Sequence, residues 1–182
     1  GDALQTLAFE LLTPSGDAVP AAVQAACVGL LARASGYWGM AGGQAIDLAS
    51  VGRALSEAQL RQMHQLKTGA LLLCSVQLGA ACGPALPAAA QGALLRFGQA
   101  LGLAFQVVDD ILDVTADSAT LGKTAGKDAA NNKPTYVSIL GLPESLALAE
   151  KLRQDAHEAL LPFGHSAQRL RELADLIVQR KA

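Results

Sequence analysis

The chain is short of aromatic residues, with one tryptophan, two tyrosines and four phenylalanines among 182 residues. So few rings offer little for base stacking, and no dense run of Lys and Arg marks a phosphate-backbone footprint, so nucleic acid is excluded as a partner. Charge is sparse as well: 14 basic and 16 acidic residues leave a net −2, and charged residues make up 16% against 51% hydrophobic. That balance is the reverse of a disordered chain. The three cysteines, Cys27, Cys74 and Cys82, are odd in number and set among small apolar neighbours. They give no disulfide framework or thiolate zinc site and read as reduced, buried thiols of a cytoplasmic protein. Apolar runs such as 70–76 and 101–105 stop far short of bilayer length, so no membrane span is expected.

Alanine is what the chain has in excess, at 36 residues against 21 for Val, Ile and Thr together. Alanine gives up least on entering a helix and β-branched residues favour strands, so the composition predicts an all-α fold, a single domain over 1–182. The chain opens on Gly1-Asp2-Ala3-Leu4, already in helical pattern. A larger N-terminal portion is expected before it.

Apolar periodicity places a first helix over Gly1 to Leu12, closed by the turn Pro14-Ser15-Gly16-Asp17. A helical pattern then runs from Pro20 to about Ala49, with Gly36, Gly39, Gly42 and Gly43 in its second half. Glycine inside a helix costs roughly 1 kcal/mol against alanine, so the helix bends there or a neighbour packs very close. Ser56-Glu57-Ala58-Gln59 has capping-box spacing and predicts a helix from Ser56 to Ala80, stopped by Cys82-Gly83-Pro84. A fourth long helix is expected from Pro87 to Val114, and two shorter ones over Glu144 to Leu161 and Ala167 to Arg180. Residues 115–135 read instead as an ordered polar loop, and His64, His157 and His165 as surface residues.

Asp109, Asp110 and Asp113 fall within one helical turn, so three carboxylates crowd one sector at the end of an otherwise apolar helix. Like charges so placed repel unless a cation compensates, and an all-oxygen donor set suits Mg²⁺, with Mn²⁺ as the second choice. A solvated acidic helix end would look the same. Lys123, Lys127 and Lys133 follow closely, and ammonium groups beside a carboxylate-held metal can build a phosphate or diphosphate site, although surface salt bridging explains the mixture too. The segment Gly122-Lys123-Thr124 lacks the spacing and preceding strand of a P-loop. Two more polar islands interrupt apolar helices: Gln44 with Asp47, and Lys67-Thr68. Each reads as a helix surface, an interhelix hydrogen bond or a cavity wall. Phe105 and Gln106 stand one turn before Asp109 and Asp110, so a ring and an amide border the same place.

Taken in order, Gly1-Asp2-Ala3-Leu4, Gly42-Gly43-Gln44-Ala45-Ile46-Asp47, Lys67-Thr68-Gly69, Phe105 to Asp113 and Gly122 to Asp128 resemble the later part of a short-chain trans-isoprenyl diphosphate synthase of the farnesyl diphosphate synthase type. The resemblance covers essentially the whole chain. It implies the all-helical isoprenoid synthase fold without its N-terminal helices, a homodimer, and Mg²⁺-dependent condensation of isopentenyl diphosphate with an allylic diphosphate, dimethylallyl or geranyl. It further implies Asp109 as main metal ligand with Asp110 and Asp113 supporting the metal through water or directly. Lys67 and Lys127 would grip the allylic diphosphate, Thr68 and Gln106 would line the chamber, Gln44 and Asp47 would form its polar wall, Lys123 would sit in a loop beside it, and Phe105 would border it.

Members of that family also carry a Gly-Lys-x-x-Arg element, a first aspartate-rich motif and paired arginines, none of which is in this sequence; Arg33, Arg53 and Arg61 stand alone. The chain therefore carries at best half of such a metal site, and this span alone is expected to be inactive. Geranyl and geranylgeranyl products remain open beside farnesyl. Three further classes compete with this reading: a terpene cyclase, which would lack the Lys67-Thr68 and 123–128 elements, a catalytically silent dimer partner, and a purely structural helical protein.

Overall fold

A computed structural model describes residues 1–16, 19–115 and 134–180, and every regular element among them is helical. In chain order these are α1 (Asp2–Leu11), α2 (Ala21–Ser35), α3 (Met40–Ala49) and α4 (Glu57–His64). A one-turn π segment (Gln65–Gly69) follows, then α5 (Ala70–Ala81), α6 (Ala88–Thr115), α7 (Tyr136–Leu140) and α8 (Leu142–Ala159). A 3₁₀ stretch (Leu161–Ala167) leads into α9 (Gln168–Gln179). The all-α expectation holds, and among these residues no helix is long and apolar enough to cross a membrane.

The capping box at Ser56 forms as its spacing predicts. Gln59 N–H donates to Ser56 Oγ at 3.3 Å and Ser56 N–H donates to Gln59 Oε1 at 2.9 Å, satisfying two backbone donors that the helix start leaves open. A second box, Thr135 with Ser138, starts the short α7, which periodicity alone does not reveal because five residues are too few to show a period. Gly141, at φ +88°, turns the chain directly from α7 into α8 in a conformation other residues rarely adopt.

Two expected helices are each divided. The pattern from Pro20 to Ala49 breaks at Gly36–Gly39, where a Cβ on Gly39 would stand 2.1 Å from the Ala34 carbonyl oxygen. Only glycine lets the backbone fold so tightly on itself. The helix from Ser56 is interrupted by the π segment, whose wider turn falls on the Lys67-Thr68 island.

The 28-residue α6 is the axle of the fold, touching α4, the π segment, α5, α7, α8 and α9. Around its C-terminal half, Leu60, Met63, Leu103, Val107 and Tyr136 make one core; around its N-terminal half, Phe97, Leu101, Leu160 and Ile177 make another. Phe97 and Leu60 are wholly buried, each contributing about 1.5–3 kcal/mol against exposure. By contrast α1 buries none of its residues, and Leu4 and Leu11 are each 71% exposed.

Two surface expectations are corrected. His64 is buried, stacked on Tyr136 with ring centroids 5.8 Å apart, because it lies on the apolar face shared with Leu60 and Met63. Cys82 is exposed at the end of α5, while Cys27 and Cys74 are buried as expected, and burial pushes the thiols of both upward.

Candidate functional site

Around the C-terminal half of α6 stand the π segment, with α3 packed behind it, the start of α7, and the residue that follows α9. Close approach is set by glycines on both sides of the π segment. A Cβ on Gly43 of α3 would lie 2.2 Å from Lys67 N, and one on Gly102 of α6 would lie 2.7 Å from Gly69 Cα. Hydrogen atoms alone fit in those gaps, so the backbone carrying Lys67 and Thr68 is clamped between two helices. The glycine run that disfavours a continuous helix thus both breaks it and admits a neighbour.

From this clamp Lys67 donates through Nζ to Asp47 Oδ2 at 2.6 Å, with side-chain exposures of 32% and 11%. Asp47 is buried on α3, and Gln44, one turn earlier, is half-buried on the same helix. The Thr68 hydroxyl donates to Gln106 Oε1 at 3.4 Å, and Gln106 Nε2 donates to Asp110 Oδ1 at 3.0 Å. Asp110 Oδ2 accepts the Tyr136 backbone N–H at 2.8 Å. The two polar islands and the helix end that the sequence singled out therefore stand next to one another.

The three aspartates differ sharply in access. Asp110 and Asp113 are 2% and 4% exposed, whereas the Asp109 side chain is 40% exposed. Of the three, the Asp109 carboxylate is the most exposed. Arg180, just beyond α9, has Nη2 3.6 Å from Asp109 Oδ1, donates to the Phe105 carbonyl at 3.2 Å, and stacks its guanidinium 4.4 Å over the Phe105 ring. Phe105 is thus capped by a cation. Neither Arg180 nor Tyr136 was singled out from the sequence: Arg180 reaches Phe105 across 75 residues, and no spacing rule carries that far. Burial pushes the Tyr136 phenol up to about 12, so it is neutral at working pH.

Lys123, Lys127 and Lys133, and with them most of the expected polar loop, lie outside the described residues. Among the described residues no three His, Cys, Asp or Glu side chains assemble into a metal cage. One accessible carboxylate with oxygen donors only fits Mg²⁺ nevertheless, since that ion commonly takes one or two protein carboxylates and completes its octahedron with water and phosphate oxygens. A groove of about 480 Å³ lined by Arg61, Gln65, Arg96, Asp155 and Glu158 contains none of these residues. Its charges are partly satisfied internally, Arg61 by Glu57 and Asp155 by Lys151.

Comparison with known proteins adds four findings. Residues 1–161 match the family model described as polyprenyl synthetase. A Bradyrhizobium diazoefficiens protein named probable farnesyl diphosphate synthase is 48% identical over 176 residues, covering 95% of this chain and 52% of that protein. The farnesyl diphosphate synthase of Escherichia coli is 41% identical over 184 residues, covering 99% and 62%. Among solved structures, a geranyltransferase from Helicobacter pylori complexed with magnesium and isoprenyl diphosphate superposes with a TM-score of 0.82 at 32% identity, covering 97% of this chain and 57% of that one. The chain spans little more than half the length of the curated relatives it matches.

Proposed function

The chain belongs to the polyprenyl synthetase family, and from that premise we propose that the protein joins isopentenyl diphosphate to an allylic diphosphate, dimethylallyl or geranyl, giving farnesyl diphosphate and releasing pyrophosphate. The observation that carries the reading is the convergence of Lys67-Asp47, Thr68-Gln106 and the open Asp109 on one end of α6. A cation-bearing wall faces an acidic helix end there, which is what a metal-diphosphate cluster requires.

Asp109 is the residue to hold Mg²⁺, or Mn²⁺ in its place. A metal held there would supply electrophilic pull on diphosphate oxygens. Lys67, already oriented by Asp47, adds a fixed ammonium on the diphosphate, and Lys127 and Lys123 are assigned as further contacts from the sequence alone. Thr68 and Gln106 are tied to each other, so their polar atoms are held away from the carbocation, and Phe105 adds an aromatic wall. Gln44 and Asp47 form the polar boundary behind Lys67. The double bond of isopentenyl diphosphate attacks the cation, and a proton then leaves to the departing pyrophosphate, so no strong protein base is needed. A dry apolar chamber protects the cation from water. The reading includes a cytoplasmic homodimer, for which the uncovered leucines of α1 give support.

The test is direct. Protein expressed from its full reading frame, given Mg²⁺, radiolabelled isopentenyl diphosphate and either allylic diphosphate, should yield labelled farnesyl product. A geranyl or geranylgeranyl product would change the chain length and keep the chemistry. No labelled prenyl product under any of these conditions would overturn the reading and favour a silent dimer partner.

A further inference from the structure

Asp110 sits between two residues of the site but is built differently from them. Its carboxylate is 2% exposed, and each oxygen accepts a hydrogen bond: Oδ1 from Gln106 Nε2 at 3.0 Å and Oδ2 from Tyr136 N–H at 2.8 Å. The first donor belongs to the preceding turn of α6. The second lies 26 residues further on, at the start of α7, where Tyr136 is fully buried between Leu60, Met63 and Val107. With the Thr68 hydroxyl on Gln106 Oε1, the bonds form a line from the π segment through α6 to α7.

We propose that Asp110 is a positioning residue: it clamps the last turn of α6 to the start of α7 and fixes the orientation of the Gln106 amide, and it does not ligate the metal. The inference rests on the assignment of the metal to Asp109. A metal ligand must turn an oxygen lone pair toward the ion, and the Asp110 carboxylate is 2% exposed with each oxygen already accepting an N–H donor inside the core. A carboxylate is the acceptor of choice for this task because it alone takes two donors from opposite sides, and hydrogen bonds to a charged acceptor are roughly twice as strong as neutral ones. Its neighbour Asp109, on the outer side of the same turn, is thereby held in one orientation, as outer-shell partners hold ligands in metal sites generally.

Clamp and ligand make different predictions for Asp110→Asn. Asparagine can still accept the Tyr136 N–H through its oxygen, and its NH₂ can donate to Gln106 once that amide flips. The flipped Gln106 then presents NH₂ to the Thr68 hydroxyl, which accepts. Both bonds at position 110 keep a donor and an acceptor, at the cost of the Thr68 hydroxyl's donation to Gln106, so the link between α6 and α7 survives. A metal ligand, in contrast, loses its charge on the same change.

The experiment uses protein from the full reading frame and two readouts: Mn²⁺ binding followed by electron paramagnetic resonance, and hydrogen exchange of the Tyr136 amide. Asp110→Asn should hold both within about threefold of the parent. Asp110→Ala, if it still unfolds cooperatively, should speed Tyr136 exchange and weaken Mn²⁺ by about tenfold. Asp109→Asn should weaken Mn²⁺ at least as much and leave Tyr136 exchange unchanged. Loss of Mn²⁺ in Asp110→Asn equal to that in Asp109→Asn would overturn the proposal, as would unchanged Tyr136 exchange in Asp110→Ala. Unchanged Mn²⁺ binding in Asp109→Asn would instead remove the assignment of the metal, while the Tyr136 exchange still decides whether Asp110 is a clamp.

Discussion

Replacing Gly43 by alanine adds one methyl group at the tightest point behind Lys67. The added Cβ would stand 2.2 Å from Lys67 N, 2.6 Å from Lys67 Cα and 2.8 Å from the Leu66 carbonyl carbon. All three are backbone atoms, so no side chain can swing aside. Restoring an ordinary contact of 3.4 Å from 2.2 Å requires a displacement of about 1.2 Å between α3 and the π segment. The segment cannot retreat freely, because Gly102 already lets α6 approach so closely that a Cβ there would be 2.7 Å from Gly69 Cα. Overpacking of this kind costs about 1–3 kcal/mol of stability. If Lys67 grips the diphosphate as proposed, shifting it by about 1 Å is expected to lower turnover roughly 100-fold. The control is Gly79→Ala in α5, where nothing lies within 4 Å of the added Cβ. That change should raise stability by about 0.5–1 kcal/mol with turnover intact. Steady-state kinetics on the two diphosphates, with urea unfolding of each variant, reads both effects. Parent-like turnover and stability in Gly43→Ala would refute the clamp.

Other perturbations address separate parts of the site. On the proposed assignment, Asp109→Ala should lower turnover at saturating Mg²⁺ by about 100-fold or more, because the metal it would hold acts where diphosphate charge develops; steady-state rates close to the parent would remove this carboxylate from the chemistry. Arg180→Met takes a fixed cation from beside Asp109 and from the Phe105 ring. It should reduce stability by about 1 kcal/mol and tighten Mn²⁺ binding in the absence of diphosphate, whereas Arg180→Lys should do less of both. Away from the site, hydrogen bonds from Arg153 and then Gln154 hold Glu150 at about 2 against an ordinary 4.5. Its folded-state value is depressed, so the stability it contributes is complete above 4.5 and is lost as pH falls from there towards 2. Arg153→Met should flatten that acid limb in urea midpoints measured across the window. An unchanged slope would show that the pair is too solvated to matter.

What could be read from the sequence divides along a physical line. Local rules worked where the cause is local: the Ser56 capping box closes within four residues, the alanine excess gives helices, and the aspartate triad and Lys67-Thr68 announce themselves because polar groups interrupt apolar periods. The π segment was not legible, since its hydrogen-bond register differs from that of an α-helix by one residue and leaves no mark in composition. Arg180 was hidden for the opposite reason. An arginine ending an amphipathic helix looks like a solvated residue until tertiary packing lays it over Phe105.

The same division bears on the three aspartates. Sequence spacing gives Asp109, Asp110 and Asp113 one shared helix sector and so one shared role. Burial separates them, because a helix end that is half inside the core turns neighbouring residues into different solvents. Asp109 keeps access to a cation while Asp110 commits both oxygens to Gln106 and Tyr136. On the proposed assignment, a motif written as repeated carboxylates combines one group that acts on the ligand with another that holds the first in place. Repetition in the sequence reflects the common need for a strong hydrogen-bond acceptor, which metal binding and buried clamping both impose.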